Sequence, residues 1–551
     1  MLFNRLLSSL SHVEFYRVGR WFIMAMAIGT IAATGALVFE KVQDFVETRF
    51  LGEMSGFHPP HPHTTVPGDY PPPHDTLEPG ASGWGRSYTS GFFLVLIPTL
   101  GGLVSGFLIY IFAPEAEGHG TDSVIKSYHR QGGRIRWQVP LVKLFASAIT
   151  IGSGGSAGRE GPIAQIGAGF GSLLGSWTKV SDREKRILVL AGVAAGIGAM
   201  FKAPLGGALF AAEVLYRDPE FEYEALIPAF ISSILAYSLY CLFSGSGFNT
   251  IFSIPVGMKF TEPVELIFYG VMGVFLALVG ILYVKSFSFF RHKVFAPMPI
   301  PNLFKPMLGG FILGLLALAF PQILGVSYGY LEEPLTSHDP ATRDIAFRTA
   351  SLFLLLGFLK IYSTCLTIGS GGSGGVFAPS LVIGGSFGAA FGTLFAYYSP
   401  DYVSQPGAYV LVGMGGFFSG VAKVPITALI MVCEMTSGYG LVVPLMLVTA
   451  VTYVLTPNGS SIYEEQVQRR IDSPAHAGEF MIDVLENVRV SEVMEPLPEV
   501  VTIREDTPLG EVLKLSTETV HQAFPVMNHE GKLAGVVSLD DVRSYYYESE
   551  L

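Results

Sequence analysis

The chain has 551 residues, 50% hydrophobic and only 14% charged, with a mean hydropathy of +0.46. Soluble domains carry about 25% charged residues, so the composition argues against a soluble globular protein and for a polytopic membrane protein. A net charge of −11 with no long basic run leaves nucleic acid without an electrostatic footprint, and three cysteines cannot form a disulfide framework.

Arg5, Arg17 and Arg20 precede the first apolar run, but no small-residue cleavage site follows a short apolar core, so this stretch is read as part of the mature chain. Spanning the hydrocarbon takes about 20 helical residues. Candidate spans are Trp21–Phe39, Phe92–Phe112, Leu226–Leu242, Val264–Val284, Met307–Ala319, Ala346–Tyr362 and Leu441–Leu455. Between them lie glycine-interrupted pieces that read as too short to span: Pro162–Trp177, Ile187–Met200, Leu205–Val214, Ala378–Phe395, Tyr409–Val421 and Ile426–Met435. Broken helices of this kind are tolerated where they line a cavity in a transporter. Gly52–Trp84, with His58, His61, His63 and His74 among prolines, reads as an exposed polyproline-like loop, with metal binding as the alternative.

The run Gly152-Ser-Gly-Gly-Ser-Ala-Gly-Arg-Glu-Gly-Pro162 aligns without a gap on Gly369-Ser-Gly-Gly-Ser-Gly-Gly-Val-Phe-Ala-Pro379. Downstream, Ile166, Gly167, Phe170 and Gly171 fall on Ile383, Gly384, Phe387 and Gly388. Then Gly192, Lys202, Pro204 and Glu213 fall on Gly413, Lys423, Pro425 and Glu434. The chain therefore contains two halves on one plan, about residues 85–255 and 300–470, and repeats in carriers place the substrate where the halves meet.

Both glycine runs fit variants of a dinucleotide fingerprint, but no Walker lysine follows and the flanks are membrane-like. What remains is the physics of bare N–H groups at a helix N-terminus, which bind anions; glycines for close helix packing are the alternative. Glu160 lies inside the first run, where an ionised carboxylate in hydrocarbon costs about 3 kcal/mol or more unless paired. It is expected to occupy the anion site when charged and to release it when protonated. Arg159 beside it reads either as an entry guide for anions or as half of a structural ion pair.

Gly158-Arg159-Glu160-Gly161-Pro162, Gly375-Val376-Phe377-Ala378-Pro379, the two-half repeat and Tyr463 after the last apolar segment together resemble the CLC family of chloride channels and chloride/proton exchangers. The resemblance covers roughly residues 20–463. It implies an all-α polytopic membrane protein with an inverted-repeat helical fold and re-entrant helices. It also implies a voltage-gated or proton-coupled chloride path in each subunit of a homodimer, within the lipid bilayer. Carried over, Glu160 is the gating glutamate, the N–H groups of Val376 and Phe377 are central chloride donors, and the Tyr463 hydroxyl is the inner donor. Gly120, Arg159 and Gly161 join the chloride-binding set, with Gly158, Pro162, Gly375 and Pro379 shaping the helix ends. No covalent chemistry, no metal and no cofactor are expected, chloride itself being the substrate.

The sequence departs from the family pattern twice. The stretch Gly118-His119-Gly120-Thr121-Asp122 stands where the family reads Gly-Ser-Gly-Ile-Pro, so His119 replaces a serine hydroxyl donor. Val214 stands where many exchangers have a second glutamate that carries protons from the inside, which favours a channel over an antiporter. Glu213 is a possible substitute, but its repeat partner Glu434 suggests that both satisfy backbone donors.

Beyond about Met481 the composition turns soluble, with strands expected at Glu499–Ile503, Ala523–Met527 and Leu533–Ser538 and a helix at Leu509–Leu515. Residues 490–551 resemble one CBS motif, which makes Ser538 and Asp541 candidate ligands for an adenine nucleotide; a dimerisation module without ligand is the alternative. The reading is a transport domain over 1–480 and a cytosolic α/β appendage over 481–551, in a plasma membrane. A chloride/proton antiporter is the near alternative, and a divalent-metal carrier or a nucleotide-sensing membrane signalling protein are distant ones.

Overall fold

The computed structural model describes residues 12–61, 89–336, 342–477 and 500–542, apart from 253, 256, 404 and 520. The chain divides into two compact units, Met1–His476 and Ala477–Leu551. The principal helices of the first are α1 (His12–Val46), α2 (Gly91–Phe112), α3 (Thr121–Arg130), α4 (Gln138–Gly152) and α5 (Glu160–Trp177). They continue as α6 (Asp182–Met200), α7 (Pro204–Glu213), α8 (Tyr223–Phe243), α9 (Glu265–Phe289) and α10 (Lys305–Ala317). The series closes with α11 (Arg343–Ile368), α12 (Phe377–Tyr398), α13 (Pro406–Ala422), α14 (Pro425–Thr436) and α15 (Val442–Leu455).

Among the described residues six helices are long and apolar enough to cross a membrane. Two expected spans are not among them. Met307–Ala319 and Leu441–Leu455 form helices of 13 and 14 residues, which reach only about 20 Å at 1.5 Å per residue. Conversely, α12 has 22 residues and enough apolar character to cross, longer than the short piece expected there. Apolar composition reports immersion, whereas length depends on where proline and glycine stop the helix; Pro321 and Pro457 follow the two short ones. The Pro/His-rich loop lies outside the described residues from 62 to 88, and its expected first residues, Gly52–Ser55, instead belong to the helical run that continues α1.

The two halves repeat in three dimensions. Helix α5 packs on α6 as α12 packs on α13, and a Cβ on Gly167 or Gly384 would overlap the carbonyl oxygen of Gly192 or Gly413. The glycines thus bring paired helices into backbone contact. Lys202 and Lys423 both adopt positive φ, 52° and 61°, and each spends its ammonium on backbone carbonyls. Lys202 Nζ donates to Asn249 O at 2.8 Å, and Lys423 Nζ to Tyr453 O at 3.2 Å.

Glu213 and Glu434 cross between the halves. The Glu213 carboxylate, at the end of α7, accepts from Ile426 N (3.1 Å) and Thr427 N (2.7 Å) at the start of α14. The Glu434 carboxylate, near the end of α14, accepts from Leu205 N (3.2 Å) and Gly206 N (2.7 Å) at the start of α7. Each half therefore caps a helix of the other, where unpaired N–H groups and the dipole both favour a negative charge. This is the backbone-satisfying role suggested by the repeat.

In the second unit β1 (Ile503–Arg504) pairs in parallel with β2 (Ala523–Met527), which pairs antiparallel with β3 (Leu533–Ser538); α16 (Leu509–Glu518) joins β1 to β2. The last two strands have the expected bounds. The first keeps only Ile503 of the expected span and adds Arg504, because only Ile503 and Arg504 find partners on β2; residues 478–499 lie outside the described set. Ile503, Val512, Phe524 and Val542 form the small core.

Glu213→Ala leaves two N–H groups of α14 without their charged acceptor. It is expected to cost about 3 kcal/mol, seen as a lower Tm of the detergent-purified protein, with Glu213→Gln losing less. An unchanged Tm in the alanine variant contradicts the crossed-cap account.

Candidate functional site

The site is assembled from three glycine-rich loops stitched together by backbone hydrogen bonds. Gly118 N donates to Gly372 O (3.1 Å) and Gly374 N to Gly118 O (3.2 Å). Gly158 N donates to Gly375 O (2.7 Å) and Gly375 N to Gly158 O (2.6 Å). The second glycines of the two long runs, Gly154 and Gly371, sit at φ of 97° and 99°, a conformation that a side chain would strain. The same fold of the loop thus delivers α5 from one half and α12 from the other to one place.

Two buried lysines at equivalent positions of the halves hold the neighbouring turns. Lys143 Nζ donates to Ala116 O (3.1 Å) and Gly118 O (2.6 Å). Lys360 Nζ donates to Gly325 O (2.7 Å) and Ser327 Oγ (2.8 Å). The turns they hold match: Gly118 and Gly325 have φ of 72° and 64°, Gly120 and Ser327 85° and 70°. Thr121 and Tyr328 follow as equivalents.

Glu160, 3% exposed, begins α5. Its Oε1 accepts from Tyr328 Oη at 3.1 Å, and its Oε2 from Ala378 N at 3.3 Å. The carboxylate therefore lies on the N-terminus of α12. The N–H groups of Val376 and Phe377 alongside take no partner among the described residues, and the first turn of a helix leaves such donors free. The Phe377 ring is held by Phe418 and Phe201, at 4.1 and 4.7 Å between centroids. Gly158, Gly161 and Gly375 line the contact: a Cβ on Gly158 would stand 2.8 Å from Ala378 Cβ, and one on Gly375 2.8 Å from Gly161 N. Pro162 and Pro379 are buried in the first turns of α5 and α12.

On the other side of the loops stand Tyr463, 1% exposed, and His119, 2% exposed, with ring centroids 5.4 Å apart. Tyr463 feels the charge of both Asp122 and Glu160. Gly120 closes against Gln165 Oε1 and the Gly161 carbonyl, each within 3 Å of where its Cβ would be. Phe287, its ring 6.3 Å from that of His119, borders a cavity of about 170 Å³ with Arg217, Ser461 and Glu464 among others.

Arg159 has its guanidinium 3.7 Å from Glu40 and 3.7 Å from Asp44, both on α1. Val214 is 3% exposed, with its carbonyl taken by Gln466 Nε2 at 2.9 Å. In the second unit the Ser538 hydroxyl and N–H donate to Asp541 Oδ2 (2.6 and 2.8 Å), and Asp541 N donates back to Ser538 Oγ (3.2 Å). This mutual cap holds the Asp541 carboxyl below the usual carboxylate range.

Tyr328, Lys143, Lys360 and Asp122 were not singled out from sequence. The signal for the first was present: Pro321-Gln-Ile-Leu-Gly325-Val-Ser327-Tyr328 mirrors Pro114-Glu-Ala-Glu-Gly118-His-Gly120-Thr121, but at a different spacing from the glycine runs.

A family profile described as voltage gated chloride channel matches residues 101–457, and one described as CBS domain matches residues 490–548. The chain belongs to the CLC family of chloride transport proteins and is a multi-pass membrane protein ending in a CBS domain. It is 30% identical to the H(+)/Cl(-) exchange transporter ClcA of Vibrio parahaemolyticus, over 68% of this chain and 79% of that protein. It is also 30% identical to the putative chloride channel protein ClcB-like of Ralstonia nicotianae, over 69% and 86%. The fold is shared with a slow cyanobacterial Cl-/H+ antiporter (TM-score 0.64, 22% identity, 85% of this chain and 99% of that one). It is shared too with a CLC-type fluoride/proton antiporter (TM-score 0.65, 20% identity, 83% and 99%).

Gly158→Ala places a methyl group between Glu160 and Ala378 and breaks the bridge to Gly375. Chloride flux in liposomes is expected to fall at least tenfold with the protein still folded; flux within twofold of wild type contradicts this geometry.

Proposed function

We propose that the protein exchanges chloride for protons, with Glu160 as the gate and the proton carrier of a pathway present in each subunit of a homodimer. The observation that carries the reading is the Glu160 carboxylate on the Ala378 N–H, at the head of α12. An internal anion holds the place that a dehydrated chloride would take, so the two compete. Protonation removes the charge, frees the helix end, and moves a proton with the side chain. In this reading the Val376 and Phe377 N–H groups and the Tyr463 hydroxyl bind the ion, helped by His119, while Gly120 and Gly161 permit close approach. Arg159, engaged by Glu40 and Asp44, orients the start of α5 from behind.

Exchange is supported by the relatives named as exchangers and by the packing around Glu160, which is enclosed on both sides by loops. The second reading, a passive channel, is favoured by the apolar Val214 at the position where a proton-carrying glutamate would stand, and by the relative named as a putative channel. The tail we read as a cytosolic CBS module in which Ser538 and Asp541 cap a helix. An adenine nucleotide could engage them only by breaking that cap. We assign the plasma membrane as its site.

Purified protein in liposomes under a chloride gradient, with the potential set by a potassium ionophore, is expected to drive protons uphill; chloride flux with no proton movement supports the channel. Glu160→Gln is expected to conduct chloride without pH dependence or proton movement. Retained pH dependence removes Glu160 as the gate. Tyr328→Phe deletes a hydrogen bond that favours the charged carboxylate, worth about 1.5 kcal/mol or more. The pH of half-maximal flux should therefore rise by about one unit, and an unchanged or lower midpoint contradicts the role given to Tyr328.

A further inference from the structure

We propose that His119, backed by Asp122, passes protons between the inner cavity and Glu160. The inference rests on the exchange reading and supplies the step that Val214 leaves open. An apolar Val214 cannot bind a proton, and Glu213, which could, has both carboxylate oxygens committed to the N–H groups of α14. A different buried titratable group must serve.

His119 fits by position and by what surrounds it. Both ring nitrogens are buried without an aligned hydrogen bond. A buried polar atom left in that condition is uncommon, and the ring stands 5.4 Å from that of Tyr463. Nε2 lies 3.1 Å from Asp122 Oδ2, while Oδ1 of the same carboxylate accepts from Glu465 N at 3.2 Å, which fixes its orientation. Toward the inside, the His119 ring is 6.3 Å from that of Phe287, which lines the 170 Å³ cavity with Ser461 and Glu464. That volume holds several waters. The backbone carbonyl of His119 lies against Gly161, the residue after Glu160.

Several charged and titratable groups stand about the ring. The Asp122 carboxylate faces it directly. Tyr463 is neutral, Lys143 is spent on the Ala116 and Gly118 carbonyls, and Arg291, whose charge reaches Asp122, is 3.8 Å from Glu464. Glu465 faces Lys126 and Arg130. A proton accepted from cavity water on one ring nitrogen is released from the other, across intervening water, to the Glu160 carboxylate. That carboxylate then leaves the end of α12 neutral, and the imidazole returns to its starting tautomer by ring reorientation.

The test compares wild type, His119→Ser, His119→Gln and Asp122→Asn in liposomes, recording chloride and proton fluxes together. The deciding quantity is the proton-to-chloride ratio, whatever the chloride rate. His119→Ser and His119→Gln, which donate hydrogen bonds but have no ring to take up and release a proton, are expected to lower the ratio at least tenfold. Asp122→Asn should lower it several-fold. A wild-type ratio retained in either folded His119 variant overturns the relay while leaving exchange intact. Absence of uphill proton movement in wild type overturns the exchange reading and the relay with it.

Discussion

The structure depends on one interaction used three times: a carboxylate from one half of the chain set on the N-terminus of a helix from the other. Glu213 and Glu434 each take two backbone N–H groups, at 2.7 to 3.2 Å. Glu160 takes one, at 3.3 Å, and adds a tyrosine hydroxyl at 3.1 Å. The difference in hold separates their roles. Two charge-assisted bonds to a helix end lock the first pair as structure, whereas Glu160 rests on a single long bond to the head of α12, the looser hold that the proposed exchange requires.

That arrangement needs a rigid frame to hold the helix ends of the two halves against each other. The frame is the set of glycine loops bridged at Gly118, Gly158, Gly374 and Gly375, braced by Lys143 and Lys360. Each lysine donates to carbonyls that a turn of positive φ turns inward. The cost of burying the ammonium is offset by those charge-assisted bonds, and removal of either lysine would leave carbonyls unpaired. Arg159, 3.7 Å from Glu40 and Asp44 on α1, ties the start of α5 to that helix. The repeat therefore supplies both the opposed helix ends and their scaffold.

Much of this was legible in sequence. The paired glycine-proline runs, Glu160 inside the first of them and the repeat-related Glu213 and Glu434 all follow from local chemistry and from aligning the halves at two offsets, 217 and 221 residues. The short helices were found because glycine and proline interrupt apolar runs, and most bounds agree within three residues. What sequence did not reveal were contacts made by side chains distant along the chain. Tyr328 meets Glu160 across a turn whose spacing differs between the halves, which hides the repeat. Arg159 pairs with carboxylates more than a hundred positions earlier. The lengths of α10 and α15 came close to those expected, 13 and 14 residues, but reading them as spans asked more of them than about 20 Å of helix can reach.

The central claim is that Glu160 and a permeating anion exclude one another at the head of α12. Crystals of the wild-type protein in bromide, at alkaline and at acidic pH, test it through the anomalous signal of the ion. Exclusion predicts that at alkaline pH the carboxylate contacts Ala378 N and no bromide lies there, and that at acidic pH bromide replaces it while the Glu160 side chain has left. Bromide bound to Ala378 N with the Glu160 carboxylate still in contact would contradict the account.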